Sequence, residues 1–180
     1  PFLVSEAQLN SPISVNKGLI LSAPEPFYAS VRVKASSQAA SLTSKGENAA
    51  LGTDFRCASM FSNSGYSEGK SNTISIMATE DNTTVTISDI NPGFIFRATS
   101  TTGNPLTSSD ITFTLNAGEC YVVSAFMDEP NATNNINGLN GTHVTSDKNI
   151  VVNCGTWLGG NAIDGTSPNG AIAFGRDIGI

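Results

Sequence analysis

Charged side chains are scarce in this sequence, and basic ones are the scarcest. Asp, Glu, Lys and Arg make up 13% of the residues, against roughly 25% in ordinary soluble domains. The nine Lys and Arg residues are scattered and are outnumbered by fifteen Asp and Glu, for a formal net charge of −6. Nucleic acids and anionic membranes both need a concentrated positive surface, so we expect neither as a partner.

Long apolar runs are missing as well. No stretch approaches the roughly 18 apolar residues of a membrane-spanning helix, so we expect no direct membrane insertion. The chain starts at Pro1 without an initiator Met or a signal-like segment, and it stops within GRDIGI, which resembles the middle of a structural element. We therefore expect a fragment of a longer polypeptide that carries further domains.

The three cysteines, Cys57, Cys120 and Cys154, are an odd number and include no CxxC pair, which argues against a metal site. Free cysteine is among the most buried residue types, so we interpret all three first as small core residues. A disulfide between Cys120 and Cys154 is the alternative, because both lie in predicted core strands.

A single histidine, His143, limits the catalytic chemistry. A Ser-His-Asp site would have to use it, and no GxSxG motif accompanies any serine. The acidic pairs Glu80–Asp81 and Asp128–Glu129 do not suit a glycosidase, because adjacent residues on a strand point to opposite faces. We predict that the protein is not an enzyme and needs no cofactor, and we keep a hydrolase built on His143 as a remote alternative.

A few residues are weak binding candidates. Asp128, Glu129 and Asn131 share one polar loop and have the oxygen atoms that calcium prefers, but no DxDxDG loop is present and a solvated acidic loop explains them more simply. Trp157 and Tyr66 are candidate ligand contacts if they are exposed. Trp is highly buried on average, which favours a core position for Trp157.

Two-residue alternation is the strongest pattern that the sequence does contain. TISIMAT places Ile74 and Ile76 on one face, and TVTIS does the same with Val85 and Ile87. Such alternation is typical of half-buried antiparallel strands. The residues between them, Glu80–Asn82, favour a tight turn. We predict a hairpin from these two strands.

Further strand-like segments recur every 10–15 residues or so and are separated by Gly, Asn and Pro. They are Ile13–Leu21, Ala29–Lys34, FIFRAT, DITFTL, CYVVSAFM and NIVVNCG. CYVVSAFM is apolar on both faces, which indicates a central strand of a covered sheet. The sequence therefore predicts an all-β antiparallel sandwich, or two small sandwiches packed together, with little helix.

Four phrases in order carry a family resemblance: LTSKGENAALGTDFR, ISIMATEDNTTVTIS, LNAGECYVV and LNGTHVTSDKNIVVNCG. From about Ala40 to Ile180 the chain resembles the IgGFc-binding protein N-terminal domain family. The resemblance implies an extracellular β-rich module. One branch of the family lies in animal mucus proteins. The other lies in bacterial surface adhesins, including those of gliding bacteria that export proteins by a type IX route, and GRDIGI is similar to this branch.

The resemblance supplies no catalytic residues. It implies turn and strand-start roles for the family's recurring positions. In this sequence those positions are Lys45, Gly46, Gly52, Thr53, Phe55, Glu80, Asp81, Asn82, Thr83, Gly118, Gly141, Thr142 and Ser146. The chain departs from the family at Asn149, where Pro is frequent, and at Cys120 and Cys154, where aliphatic residues are usual.

These observations predict a non-enzymatic binding or adhesion module of a larger surface protein, located outside the cell. Residues 1–39 would hold N-terminal strands, as the end of a preceding domain, and residues 40–180 the family domain, truncated at its C-terminal end. The expected partner is a protein or glycan on a surface or in the extracellular matrix. A carbohydrate-binding module is the main alternative.

Overall fold

The computed structural model describes residues 6–13, 20–35, 38–43, 50–58, 72–99, 102–105, 107–126, 135, 137–156, 160–161, 172–173 and 177–178. Their main secondary structure is β-strand, and one 3₁₀ turn lies at Glu6–Gln8. The all-β prediction is confirmed. In this part of the chain, no helix is long and apolar enough to cross a membrane.

Eight strands form one antiparallel sheet. They are β1 (Pro12–Ile13), β4 (Gly52–Arg56), β5 (Asn72–Ala78), β6 (Thr83–Ser88), β9 (Ile111–Leu115), β10 (Cys120–Ser124), β11 (His143–Thr156) and β14 (Asp177–Ile178). The order across the sheet is β1-β10-β5-β11-β6-β9, and β4 and β14 also pair with β11.

The other six described strands form three separate two-stranded pairs. They are β2 (Ser30–Ala35) with β3 (Gln38–Thr43), β7 (Ile95–Arg97) with β8 (Gly103–Pro105), and β12 (Gly160–Asn161) with β13 (Ile172–Ala173). β2 agrees with the predicted strand at Ala29–Lys34. β8 lies between the predicted strands FIFRAT and DITFTL, where the sequence analysis indicated no strand.

The predicted hairpin is wrong. β5 and β6 are not neighbours, because both run antiparallel to the same strand, β11: Ala78 pairs with Ile150, and Val85 pairs with Ser146. Alternation determines which side chains share a face, but it does not determine which strand supplies the hydrogen bonds. The Glu80–Asn82 turn instead carries the chain from one part of the sheet into another.

The same pattern recurs in the neighbouring strands and curls the sheet. β10 pairs with β5, β9 pairs with β6, and a short turn separates β9 from β10. The sheet therefore has two halves, which we name the β5 half (β1, β10, β5, the end of β11 and β14) and the β6 half (β9, β6, the start of β11 and β4). Strands that pass from one layer to the next through bends are typical of orthogonal β packing.

The core lies between these two halves. In β5, Ile74, Ile76 and Ala78 are buried, whereas the intervening residues are only partly so. They share one apolar cluster with Val85 and Ile87 of the β6 half. Burial of each large aliphatic side chain contributes about 1.5–3 kcal/mol, so the alternation seen in the sequence is what stabilises the curled sheet.

β10 is buried along its whole length and lies between β1 and β5, as its two apolar faces predicted. One face contributes Tyr121 and Val123 to the core. On the other face, Cys120 and Val122 form a second small cluster with Leu9 and Met77.

The predicted strand at Ile13–Leu21 is largely absent from the described residues. β1 ends at Ile13, and residues 20 and 21 are exposed and are not in a strand. Residues 14–19 lie outside the described part. The division of the chain at residue 39 stays a prediction, although β1 pairs with β10 of the main sheet.

Candidate binding site

Two turns and the middle of β11 meet where the sheet bends, and their polar side chains hold them together. We name this region, built from residues 79–82, 116–119 and 147–149, the polar corner. Asp81 Oδ1 accepts a hydrogen bond from the Ala117 amide at 3.0 Å, and Asp147 Oδ1 accepts one from the Thr84 amide at 2.7 Å. These carboxylates satisfy backbone N–H groups that the bend leaves without a ladder partner.

The remaining contacts of the polar corner are also structural. Glu119 Oε2 accepts a hydrogen bond from the Asn116 amide at 2.7 Å, and the Thr83 hydroxyl donates to the Glu80 carbonyl at 2.7 Å. Asn82 has a φ of 55° and Gly118 a φ of 79°, a region that Asn and Gly tolerate best. Glu80 and Asp81 therefore act as turn residues, as the sequence indicated.

His143 lies on the outer face of the β6 half. Its Nε2 atom is 2.9 Å from Asp54 Oδ1, and Asp54 is 72% exposed. Ser88 lies opposite His143 in the ladder, yet among the described residues no hydroxyl or thiol hydrogen-bonds the imidazole. The face is open, and beside the histidine it carries the ion pair of Arg56 and Asp89.

A cavity of about 190 Å³ lies among the described residues. It lies next to strand β9 and the β7–β8 pair. Its lining combines aromatic and aliphatic carbon with small polar groups. The lining residues are Asn10, Phe96, Asn104, Pro105, Thr107, Ser108, Ile111 and Tyr121.

Buried hydrogen bonds position the β7–β8 pair over this cavity. Asn135 is fully buried, and its side chain accepts from the Ile95 amide at 2.9 Å and donates to the Ile95 carbonyl at 2.7 Å. Phe126 donates its amide to the same carbonyl at 2.9 Å. The next residue, Phe96, is held at the cavity wall and contacts the edge of Phe94.

Tyr121 forms the aromatic floor. Its ring stacks on Phe113 with 3.7 Å between centroids and 9° between planes. Burial raises the pKa of the Tyr121 phenol because the charged form would lose its hydration. Across the cavity, Asn10 donates from Nδ2 to the Arg97 carbonyl at 2.9 Å.

Asn10 Oδ1 is buried and has no hydrogen-bond partner within the described residues. A buried acceptor of this kind costs free energy until a donor reaches it. The cavity is smaller than the 300–1,000 Å³ of sites for drug-sized ligands. Its size suits one side chain of a protein partner, or one sugar ring.

The three cysteines are buried free thiols, as the sequence favoured. The alternative disulfide between Cys120 and Cys154 is wrong. Cys120 pairs with Met77, and Cys154 pairs with Ile74, on the other face of β5. The two sulfur atoms are thus on opposite sides of the sheet, because successive strand residues point to opposite faces.

The other sequence-based candidates lie outside the described residues. They are Trp157, Tyr66, Asp128, Glu129 and Asn131, and their binding roles stay predictions. Within the described residues, no group of three or more His, Cys, Asp or Glu side chains is placed to hold a metal ion.

The sequence did not single out the residues of the cavity. Asn104, Thr107 and Ser108 belong to the polar segment between strands β7 and β9, and Asn10 precedes the first strand. The length of that segment was the available signal, since binding residues concentrate on long loops held by a rigid scaffold.

Comparison with known proteins gives one match. A family model described as IgGFc binding protein matches residues 39–169. The comparisons with curated proteins and with solved structures find no match.

Proposed function

The chain belongs to the IgGFc-binding protein family, and from this membership we propose that it is a non-enzymatic, protein-binding module of a larger extracellular surface protein. The match over residues 39–169 is the observation that carries the proposal. It includes every strand from β4 to β11, and therefore both halves of the curled sheet and nearly all of the cavity lining.

We assign partner binding to the cavity and its rim. Tyr121 and Phe96 offer apolar surface, while Asn104 and Ser108 offer polar groups at the edge. Binding hot spots in protein interfaces have this composition, with an aromatic anchor inside a ring of polar contacts.

The geometry around His143 supports a non-enzymatic role. Catalysis by such a histidine needs a nucleophile within hydrogen-bond reach and a site that excludes water. His143 instead contacts a largely exposed carboxylate on an open sheet face. The contact with Asp54 does provide the carboxylate that the remote hydrolase alternative requires.

The extracellular location follows from the family. A low charged fraction with many Ser, Thr and Asn residues is consistent with it. The similarity of GRDIGI to the bacterial branch favours a surface adhesin exported by the type IX route. Detection of the protein on the surface of intact cells, by protease accessibility, would test this assignment.

Binding to the Fc region of immunoglobulin G is the first experiment, because the family description names that ligand. Thr107→Trp places a large side chain at the cavity mouth. We expect this substitution to raise the Kd for the Fc region at least tenfold in a surface plasmon resonance assay. Thr84→Trp, at an exposed position of β6, is the matched control and should leave binding unchanged. Equal loss in both variants, or loss in the control alone, would place the contact elsewhere.

A carbohydrate-binding module is the second candidate. The Tyr121 and Phe96 rings with Asn10 and Asn104 also suit one sugar, since aromatic faces stack on sugar rings and amides bind hydroxyls. A glycan array that shows binding, with none to Fc or other proteins, would favour this candidate. Ester hydrolysis that His143→Ala abolishes would instead support the hydrolase.

A further inference from the structure

We propose that Cys57 and Cys154 are joined by a disulfide bond in the oxidised protein and that this bond ties together the two halves of the curled sheet. The inference goes beyond the proposed function, because it does not depend on what the module binds. It rests on where the two cysteines lie and on the contact between their thiols.

Cys57 is fixed at the end of the β6 half. It directly follows β4, its amide donates to the Thr142 carbonyl at 2.9 Å, and its carbonyl accepts from the Gly141 amide at 2.8 Å. Its side chain is 3% exposed and points into the core. The backbone around this thiol is therefore held in register with the segment that leads into β11.

Cys154 enters the same core from the β5 half. It lies near the end of β11, pairs with Ile74, and is 6% exposed. Both cysteines belong to one apolar cluster. Since Cys57 and Cys154 are each several residues from the polar corner along their own half, they face each other across the core, and a bond between them would close the open side of the bend.

The two thiols interact within this cluster. Cys57 and the Ala58 amide lower the pKa of the Cys154 thiol, whereas Cys154 and burial raise that of Cys57. Each thiol is thus a neighbour of the other in the folded chain.

Oxidation by a small-molecule disulfide such as oxidised glutathione balances the reaction. The thiolate of one cysteine attacks one sulfur of glutathione disulfide, breaks its S–S bond and releases one glutathione thiolate. The other cysteine then loses its proton, displaces the second glutathione and forms the new S–S bond. Two electrons and two protons pass to two glutathione thiols. Because both cysteines are buried, the exchange takes place while the chain folds.

Cys120 is the internal control that the fold provides. It lies on the opposite face of the β5 half, in the small cluster with Val122, Leu9 and Met77, and its thiol donates to the Gly118 carbonyl at 3.8 Å. A thiol on that side of the sheet cannot reach the Cys57–Cys154 pair. The odd number of cysteines is thus accounted for by one bond and one buried free thiol.

The bond would close a loop of about 100 residues, and long loops gain the most from a crosslink because the unfolded chain loses the most freedom. Such bonds persist in the oxidising surroundings of exported proteins. A crosslink between the halves would help to hold open-edged strands together in a domain exposed outside the cell.

Refolding of the reduced 180-residue chain in a mixture of reduced and oxidised glutathione tests the proposal. We expect the monomer to lose the mass of two hydrogen atoms, one thiol to remain titratable in denaturant, and peptide mapping to link Cys57 with Cys154. The thermal midpoint should be higher in the oxidised than in the reduced protein, by about 5–15 °C.

Three matched variants separate the bond from folding. Cys120→Ala should keep the mass loss and the redox-dependent shift in thermal midpoint, whereas Cys57→Ala and Cys154→Ala should lose both. Because each variant is compared with itself in the two redox states, a general loss of stability does not affect the result. Three free thiols after refolding, or a link that involves Cys120, would overturn the proposal.

Discussion

Phe94 shows how one side chain stabilises the region beneath the cavity. It is fully buried, and its ring meets that of Phe96 edge to face, with centroids 4.9 Å apart. The preceding residue, Gly93, has a φ of 82°, so the chain bends sharply before the ring enters the core. The aromatic pair links the start of β7 to the main apolar cluster.

Truncation of Phe94 should therefore be costly. We expect Phe94→Ala to lower the free energy of unfolding by about 3–5 kcal/mol, because it removes a large apolar surface and leaves a cavity. Urea titration followed by circular dichroism measures the change. Thr114→Ala, at an exposed position of β9, should change the value by no more than about 0.5 kcal/mol. A loss below about 1 kcal/mol for Phe94→Ala would show that the site collapses around the smaller side chain.

The Tyr121 phenol gives a pH dependence with a defined sign. Burial raises its pKa in the folded state above the value of about 10 in the unfolded chain. Below about pH 10 the phenol is neutral in both states, and the folded chain keeps its full stability. As the pH rises from the unfolded to the folded pKa, only the unfolded chain ionises readily, so this stability is lost. The free energy of unfolding should fall more steeply above about pH 10 in the wild type than in Tyr121→Phe. Identical slopes in the two proteins would contradict this account.

At the scale of elements, the turns decide the topology. The chain passes from β5 to β6 and from β9 to β10 without forming a hairpin, and both turns lie in the polar corner. Glu80, Asp81 and Gly118, for which the family resemblance implied turn roles, lie here. The Glu80 carbonyl accepts from the Thr83 hydroxyl, the Asp81 carboxylate accepts from the Ala117 amide, and Gly118 has a positive φ. These local contacts hold the two turns in place.

Asp147 provides a test of the polar corner. Asp147→Ala removes the acceptor of the Thr84 amide, and we expect a loss of about 1–2 kcal/mol in the free energy of unfolding. Asp147→Asn keeps an Oδ1 acceptor and should retain most of the stability. Chemical denaturation of both variants at the same pH compares them. If Asp147→Asn lowers the free energy of unfolding as much as Asp147→Ala does, the charge of the carboxylate, and not the hydrogen bond, stabilises the corner.

At the scale of the whole molecule, the two halves share their strands. β11 pairs with β5 along one part and with β6 along another, and the neighbouring segments cross the bend in the same way. Side chains from both halves form one cluster. The main core belongs to both halves, so we expect the described sheet to unfold as one unit.

Two buried isoleucines in different halves test this cooperativity. Ile76→Ala in β5 and Ile87→Ala in β6 should each cost about 2–5 kcal/mol. Each substitution should lower amide hydrogen-exchange protection equally in both halves, since protection of the most stable amides follows global unfolding. Loss of protection confined to the half that carries the substitution would show that the halves unfold separately.

Much of the strand pattern was predictable from the sequence. Ile74, Ile76, Val85 and Ile87 are buried as their alternation indicated, and β10 is central because both of its faces are apolar. These features are local, since a strand's side-chain period is fixed by its own backbone. The candidate site was not predictable, because the cavity joins residues from Asn10 to Tyr121 that no local motif connects.

By itself, the sequence determined the all-β class, the faces of the main strands, the burial of the cysteines and the family. The tertiary structure decided which strands pair, and it replaced a hairpin with a bend. It also decided that Cys154 shares the main core with Cys57 while Cys120 lies on the opposite side of the sheet. The period of the side chains is a property of one strand. Strand pairing and the placement of the cysteines depend on how distant segments meet, and only the folded chain determines how they meet.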